Sequence, residues 1–152
     1  MLSIVTGNGP RVGSSFVMRQ AKVRGLDVAG KKYLDGAPVA GNPGGYYDLD
    51  DFEVFNLKSG VGKVWPRQMR HLTTVPDRMV VLVRDRSDEA WIRSIEKQIK
   101  RENATYSVDD VLDFSEPLLE QCLKGFPGEV MTVATHQLDE QIDNIIKFIG
   151  DN

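Results

Sequence analysis

Thiols and imidazoles are scarce in this chain: Cys122 is the one cysteine, and His71 and His136 are the only histidines. A lone cysteine excludes an internal disulfide, and the lack of further thiols excludes a cysteine-built zinc cluster. Both suit a reducing compartment, so a cytoplasmic location is expected. No apolar run approaches the ~20 residues of a membrane helix, and Met1 leads straight into Leu2–Val5 without a charged leader. Neither a membrane partner nor export is expected. A strong excess of one charge is also missing. The 19 Lys and Arg against 22 Asp and Glu leave a net charge of -3, which supplies no general attraction for nucleic acid. Any basic surface must therefore be local. No internal repeat or linker divides the 152 residues, a length that suits one domain over 1–152.

Leu2, Ile4 and Val5 form a short apolar run that stops at Thr6-Gly7-Asn8-Gly9-Pro10, the pattern of a buried strand entering a loop. Helix-forming residues follow from Ser14 to Arg24. The stretch Gly30–Tyr47 is too rich in glycine and proline for a long helix or central strand and reads as a long loop. Val61–Trp65 and Met79–Val83 are β-prone, and the second is continuous enough for a strand covered on both faces. Trp91, Ile95 and Ile99 make one face of a helix after Ser87, with the Lys97–Arg101 charges on a solvated face. Pro117 is expected to split the next helix near Ser115. Val130–Ala134 reads as a last strand, and Leu138, Ile142, Ile145, Ile146 and Ile149 as a helical stripe stopped by Gly150. Alternating strands and helices predict an α/β fold with a mainly parallel central sheet, helices on both faces, and a ligand beyond the carboxyl ends of the strands.

The loop Gly7–Ser15 carries the chemical expectation. A strand that feeds a helix through Gly9-Pro10-Arg11-Val12-Gly13-Ser14-Ser15 turns successive N–H groups toward an anion at the helix N-terminus. The Gly-Lys-Ser/Thr ending of an ATP-binding phosphate loop is absent, which weakens ordinary kinase chemistry. Arg11 brings a planar fork suited to phosphate or sulfate. The plainer alternative is a tight strand-to-helix turn with Ser14 or Ser15 as helix cap.

In order along the chain, Gly9–Ser15 resembles the Pro-Arg-Ser-Gly-Thr-Ser loop with which sulfotransferases hold the 5′-phosphosulfate of PAPS (3′-phosphoadenosine 5′-phosphosulfate). Asn42-Pro43-Gly44-Gly45-Tyr46-Tyr47-Asp48 is similar to Asn-Pro-Arg-Gly-Tyr-Tyr-Glu in small bacterial members of that family, and Gly62-Lys63-Val64 fits their next strand. Met79–Arg84, Asp85 and Ser94 look like the strand-Arg-Asp-Pro-helix-Ser segment whose arginine and serine bind the 3′-phosphate. Phe148-Ile149-Gly150 resembles the closing Phe-Leu-Gly. Four departures stand out: Val12 replaces a small polar residue, Arg86 stands at the family's proline, the interval from Arg84 to Ser94 is slightly lengthened, and Trp65 occupies the place of the histidine base in the larger cytosolic enzymes. The resemblance implies a three-layer, P-loop NTPase-like fold and PAPS as cofactor and sulfuryl donor, with no metal required. It places Gly9, Pro10, Arg11, Val12, Gly13, Ser14, Ser15, Arg84 and Ser94 at the nucleotide.

For sulfuryl transfer the chain needs positive charge on the moving group and a base. Lys63 is a candidate for the first, against the alternative of a solvated strand-end lysine. Asp48 is the first candidate for the base, against a helix N-cap before Leu49–Phe55. His71 has suitable chemistry, as does His136, but surface placement is commoner. Arg84, at the end of an apolar strand, belongs at a ligand crevice, and Arg86 competes for the same phosphate. Tyr46, Tyr47 and Trp65 suit stacking or core packing. The expected function is transfer from PAPS to an unidentified hydroxyl or amine acceptor. The alternatives are a nucleotide or modified-base kinase using magnesium and ATP, and a non-catalytic nucleotide-binding or regulatory protein.

Overall fold

The computed structural model describes residues 1–33 and 44–150. Four strands, β1 (Leu2–Gly7), β2 (Gly60–Lys63), β3 (Arg78–Val83) and β4 (Glu129–Ala134), form an all-parallel sheet in the order β2-β1-β3-β4. The helices are α1 (Ser14–Val23), α2 (Asp51–Phe55), α3 (Glu89–Arg101), α4 (Val108–Leu123) and α5 (Leu138–Gly150), with 3-10 turns at Pro66–His71 and Thr135–Gln137. The expected α/β architecture with a parallel sheet is present.

Side chains alternate across the sheet as the two-residue strand period requires. Val5, Val80, Leu82 and Val133 pack with α1, α3 and α5, whereas Ile4, Met79 and Val81 pack with Leu49, Val54, Leu57 and Leu119 on the other face. Because the chain leaves β1 toward β2 on one side and reaches β3 on the other, the strand order reverses at β1. The crevice between the carboxyl ends of β1 and β3 is where such sheets take ligands.

Several local expectations change. Pro117 lies inside a continuous α4 rather than between two helices. It is on the exposed side of the helix, so the carbonyl it leaves without an N–H partner faces water, and burial of Leu112 and Leu119 in the two cores holds the flanking turns in register. The described residues end with α5 at Gly150. Asp50, not Asp48, caps α2: its carboxylate accepts from the Glu53 N–H at 2.7 Å, and Glu53 accepts from the Asp50 N–H. Residues 30–33 and 44–50 carry no helix or strand. The remainder of the Gly30–Tyr47 loop, including Asn42 and Pro43, lies outside the described residues.

Candidate functional site: a basic cleft at the β1–α1 loop

Gly7–Ser15 does run from β1 into α1, and it is held by side chains from three directions. The Asn8 amide donates to the Arg84 carbonyl at 2.7 Å, and its oxygen accepts the Arg84 N–H at 3.1 Å, locking the ends of β1 and β3 together. The Trp91 indole donates to the Pro10 carbonyl at 2.7 Å, and the Thr135 hydroxyl to the Val12 carbonyl at 2.6 Å. Val12 points inward and is fully buried in the core, which explains an apolar residue where a small polar one was expected. Gly13 is the cap of α1, with φ 98°, and an added Cβ would lie 2.4 Å from Leu138 Cδ1. Only glycine satisfies both constraints. No serine side chain caps α1. Among the described residues, the N–H groups of Gly9, Arg11, Val12, Gly13, Ser14 and Ser15 donate to no backbone carbonyl. These donors and the positive end of the α1 dipole supply an anion-binding terminus.

The loop forms one wall of an open cleft of about 1070 Å³ that also includes Tyr46, Asp48, Lys63, Trp65, Arg84 and Ser94. Of the residues expected at the nucleotide, Gly9, Pro10, Arg11, Gly13, Ser14, Ser15, Arg84 and Ser94 line this cleft; Val12 lies beneath it. Arg11, at φ 60°, donates from Nε to Ser94 Oγ at 3.1 Å. The Arg84 guanidinium donates to the Arg11 carbonyl at 3.1 Å and makes two bonds, at 2.7 and 3.0 Å, to one Asp88 oxygen. Arg84 thereby keeps the Asp88 carboxyl below its ordinary pKa, assisted by the Trp91 N–H.

Lys63 is not a solvated strand-end residue. Its side chain is 1% exposed, and its Nζ is 2.6 Å from Asp48 Oδ1 and 3.2 Å from Ser15 Oγ. The parallel register that pairs Val5 with Lys63 carries the ammonium to the start of α1. The 2.6 Å approach makes Lys63 and Asp48 a close ion pair. The Tyr46 and Trp65 rings lie 5.8 and 5.4 Å from the ammonium, within cation–π range. Burial pushes the Lys63 pKa below its ordinary 10.5, and the nearby Asp48 charge opposes that shift without cancelling it.

Other candidates lie elsewhere. His71 is outside the cleft, with Nε2 3.5 Å from Asp51 Oδ2, and His136 is exposed in the second 3-10 turn. Arg86 is held on α4 by Asp109, Asp113 and Glu116, which makes its guanidinium still harder to deprotonate, and it does not line the cleft. Tyr47 belongs to the core, whereas Tyr46 faces the site. A second hollow of about 740 Å³ between α3 and α4 includes Arg86 but none of the loop.

Arg19, Arg67, Arg101, Tyr106 and Phe114 also line the cleft and were not singled out from sequence. Arg101 was expected on a solvated face. Two of these had a readable signal: Arg19 is four residues after Ser15, and Arg101 is seven after Ser94, spacings that share a helix face. Arg67, Tyr106 and Phe114 arrive through tertiary contacts and had no such signal. No protein-family model and no curated protein matches the sequence. Among the described residues, no helix is long and apolar enough to cross a membrane.

Proposed function

We propose that this chain is a sulfotransferase-like enzyme that binds PAPS in the β1–α1 cleft and transfers its sulfuryl group to a hydroxyl or amine, on a P-loop-type α/β scaffold. The supporting observation is the Arg11–Ser94 hydrogen bond, with the Arg84 guanidinium on the Arg11 carbonyl. These contacts join two anion-binding centres, the α1 terminus and the Arg84–Ser94 pair, along one wall. A nucleotide with a 5′-phosphosulfate and a 3′-phosphate requires such a pair. The cleft volume, about 1070 Å³, is slightly above the ~300–1,000 Å³ typical of small-molecule sites, which leaves room for an acceptor.

In this reading the α1 N–H groups, Arg11 and Lys63 hold the phosphosulfate and stabilise charge that develops as the bridging S–O bond breaks. The acceptor oxygen or nitrogen forms the new bond to sulfur, PAP (3′-phosphoadenosine 5′-phosphate) leaves with the electron pair of the broken bond, and the acceptor proton passes to the Asp48 carboxylate. Asp48 is 31% exposed at the cleft, so an acceptor can reach it. With an anion bound beside it, the Lys63 ammonium can exchange its pairing with Asp48 for the anion while staying protonated, which frees Asp48 for the acceptor proton.

One observation favours a second reading. Lys63 Nζ beside Ser15 Oγ brings together at the α1 terminus a lysine and a hydroxyl, the groups that an ATP-binding phosphate loop takes from consecutive residues. That pairing suits a nucleoside triphosphate with magnesium. Calorimetric titration with PAP, PAPS, and ATP with and without magnesium separates the readings. Metal-independent PAP binding that falls at least tenfold in Arg84→Ala is expected. Since Arg84 also braces the loop, Ser94→Ala serves as the milder companion, with a loss of about two- to tenfold for one hydrogen bond. Preferential binding of magnesium-ATP overturns the PAPS reading. Binding of PAPS without turnover across hydroxyl and amine acceptors points to a non-catalytic binding protein.

A further inference from the structure

Charge in the cleft is unevenly satisfied. Lys63 pairs with Asp48, Arg84 with Asp88, and Arg11 turns to Ser94. The acidic residues that line the cleft are also engaged. Asp48 faces Lys63, Asp110 belongs to the capping box of α4, and Glu102 accepts from Gln98 Nε2 at 3.2 Å and from the Tyr106 hydroxyl at 3.4 Å. By contrast Arg19 on α1, Arg67 on the first 3-10 turn and Arg101 in the last turn of α3 have no carboxylate partner among the described residues.

A chain with net charge -3 has carboxylates in excess, yet three elements each contribute to one concavity a guanidinium with no carboxylate partner among the described residues. The donor's two anionic groups already have the α1 terminus, Arg11, Lys63, Arg84 and Ser94. Resting on the donor reading above, we infer that the acceptor is itself an anion, carrying a carboxylate, phosphate or sulfate ester in addition to its reacting hydroxyl or amine. Guanidinium forks bind such groups bidentately. They also offset the repulsion between an anionic acceptor and a polyanionic donor held in the same cleft. Tyr106 and Phe114, 46% and 59% exposed at the cleft, provide apolar surface for the body of the acceptor.

The test uses the whole protein and two matched pairs of alcohols, glucose with glucose 6-phosphate and tyrosol with 4-hydroxyphenylacetate, titrated calorimetrically with and without saturating PAP. At least one anionic member is expected to bind more than tenfold tighter than its neutral counterpart. The Arg67→Gln/Arg101→Gln variant, altered at two exposed side chains, is expected to reduce that preference below threefold with PAP affinity and thermal midpoint unchanged. The inference is overturned by no anionic preference, by a preference that survives in the variant, or by binding of a single-stranded oligonucleotide alone. If PAP fails to bind while the preference and its loss in the variant persist, the donor reading falls and the arginine rim is an anion site of another kind.

Discussion

Replacing Lys63 by methionine should leave the protein as stable as before, or more so, while destroying its affinity for anions. At 2.6 Å the attraction between unit charges is about 6 kcal/mol for an effective dielectric of 20. Against it stands a desolvation cost of several kcal/mol per ion, nearly complete for Lys63 at 1% exposure and smaller for Asp48 at 31%. The lowered Lys63 pKa shows that burial outweighs the partner's charge. Lys63→Met therefore removes a net liability and leaves Asp48 within reach of water, for an expected change between zero and about 2 kcal/mol of stabilisation. Asp48→Asn does the reverse, leaving a buried ammonium uncompensated, and should cost about 2 to 3 kcal/mol, less than a fully buried pair because Asp48 is partly solvated. The double variant should recover most of that loss. A folded-state pKa below the unfolded one means that the unfolded chain binds more protons between the two values. Wild-type stability relative to Lys63→Met should thus rise with pH through the interval from the depressed Lys63 pKa up to 10.5. Urea denaturation across pH measures all of this, and PAP titration reads the expected loss of at least tenfold in affinity. If Lys63→Met is less stable than Asp48→Asn, or the pH trend has the opposite sign, the account of a burial-dominated lysine is wrong.

Thr6 is fully buried, and its hydroxyl has no hydrogen-bond partner among the described residues. Thr6→Val should raise unfolding free energy by about 1 kcal/mol in urea melts, because it removes an unsatisfied polar group at nearly constant shape; a fall would reveal a bond to that hydroxyl. Gly13→Ala forces a methyl group into Leu138 at a positive φ and should destabilise by about 1 to 3 kcal/mol, with anion affinity falling further than stability alone explains. Unchanged PAP titration in the Gly13→Ala variant would show that the loop shape is not what binds the anion.

The strand entering Gly7–Ser15, the α3 stripe of Trp91, Ile95 and Ile99, and the α5 stripe were legible because each follows from a short-range period in apolar residues. Arg84 was legible for a related reason, as a charge at the end of an apolar run. The reading failed where two local rules competed. Pro117 ordinarily breaks a helix, but its exposed position in α4 allows the freed carbonyl to meet water. Asp48 and Asp50 are both plausible caps for α2, and the reciprocal bond with Glu53 selects Asp50.

By itself the sequence determined the alternating α/β pattern, the glycine loop before the first helix and the shortage of thiols and imidazoles. Only the tertiary structure decided that Lys63 is buried against Asp48 and Ser15, that Arg86 is tied to α4, and that Arg19, Arg67 and Arg101 share a cleft with the loop. The difference is physical. Hydrophobic periodicity acts between residues three or four apart, whereas an ion pair depends on which strands lie side by side. The pairing of β1 with β2 brings a lysine to a loop that lacks one.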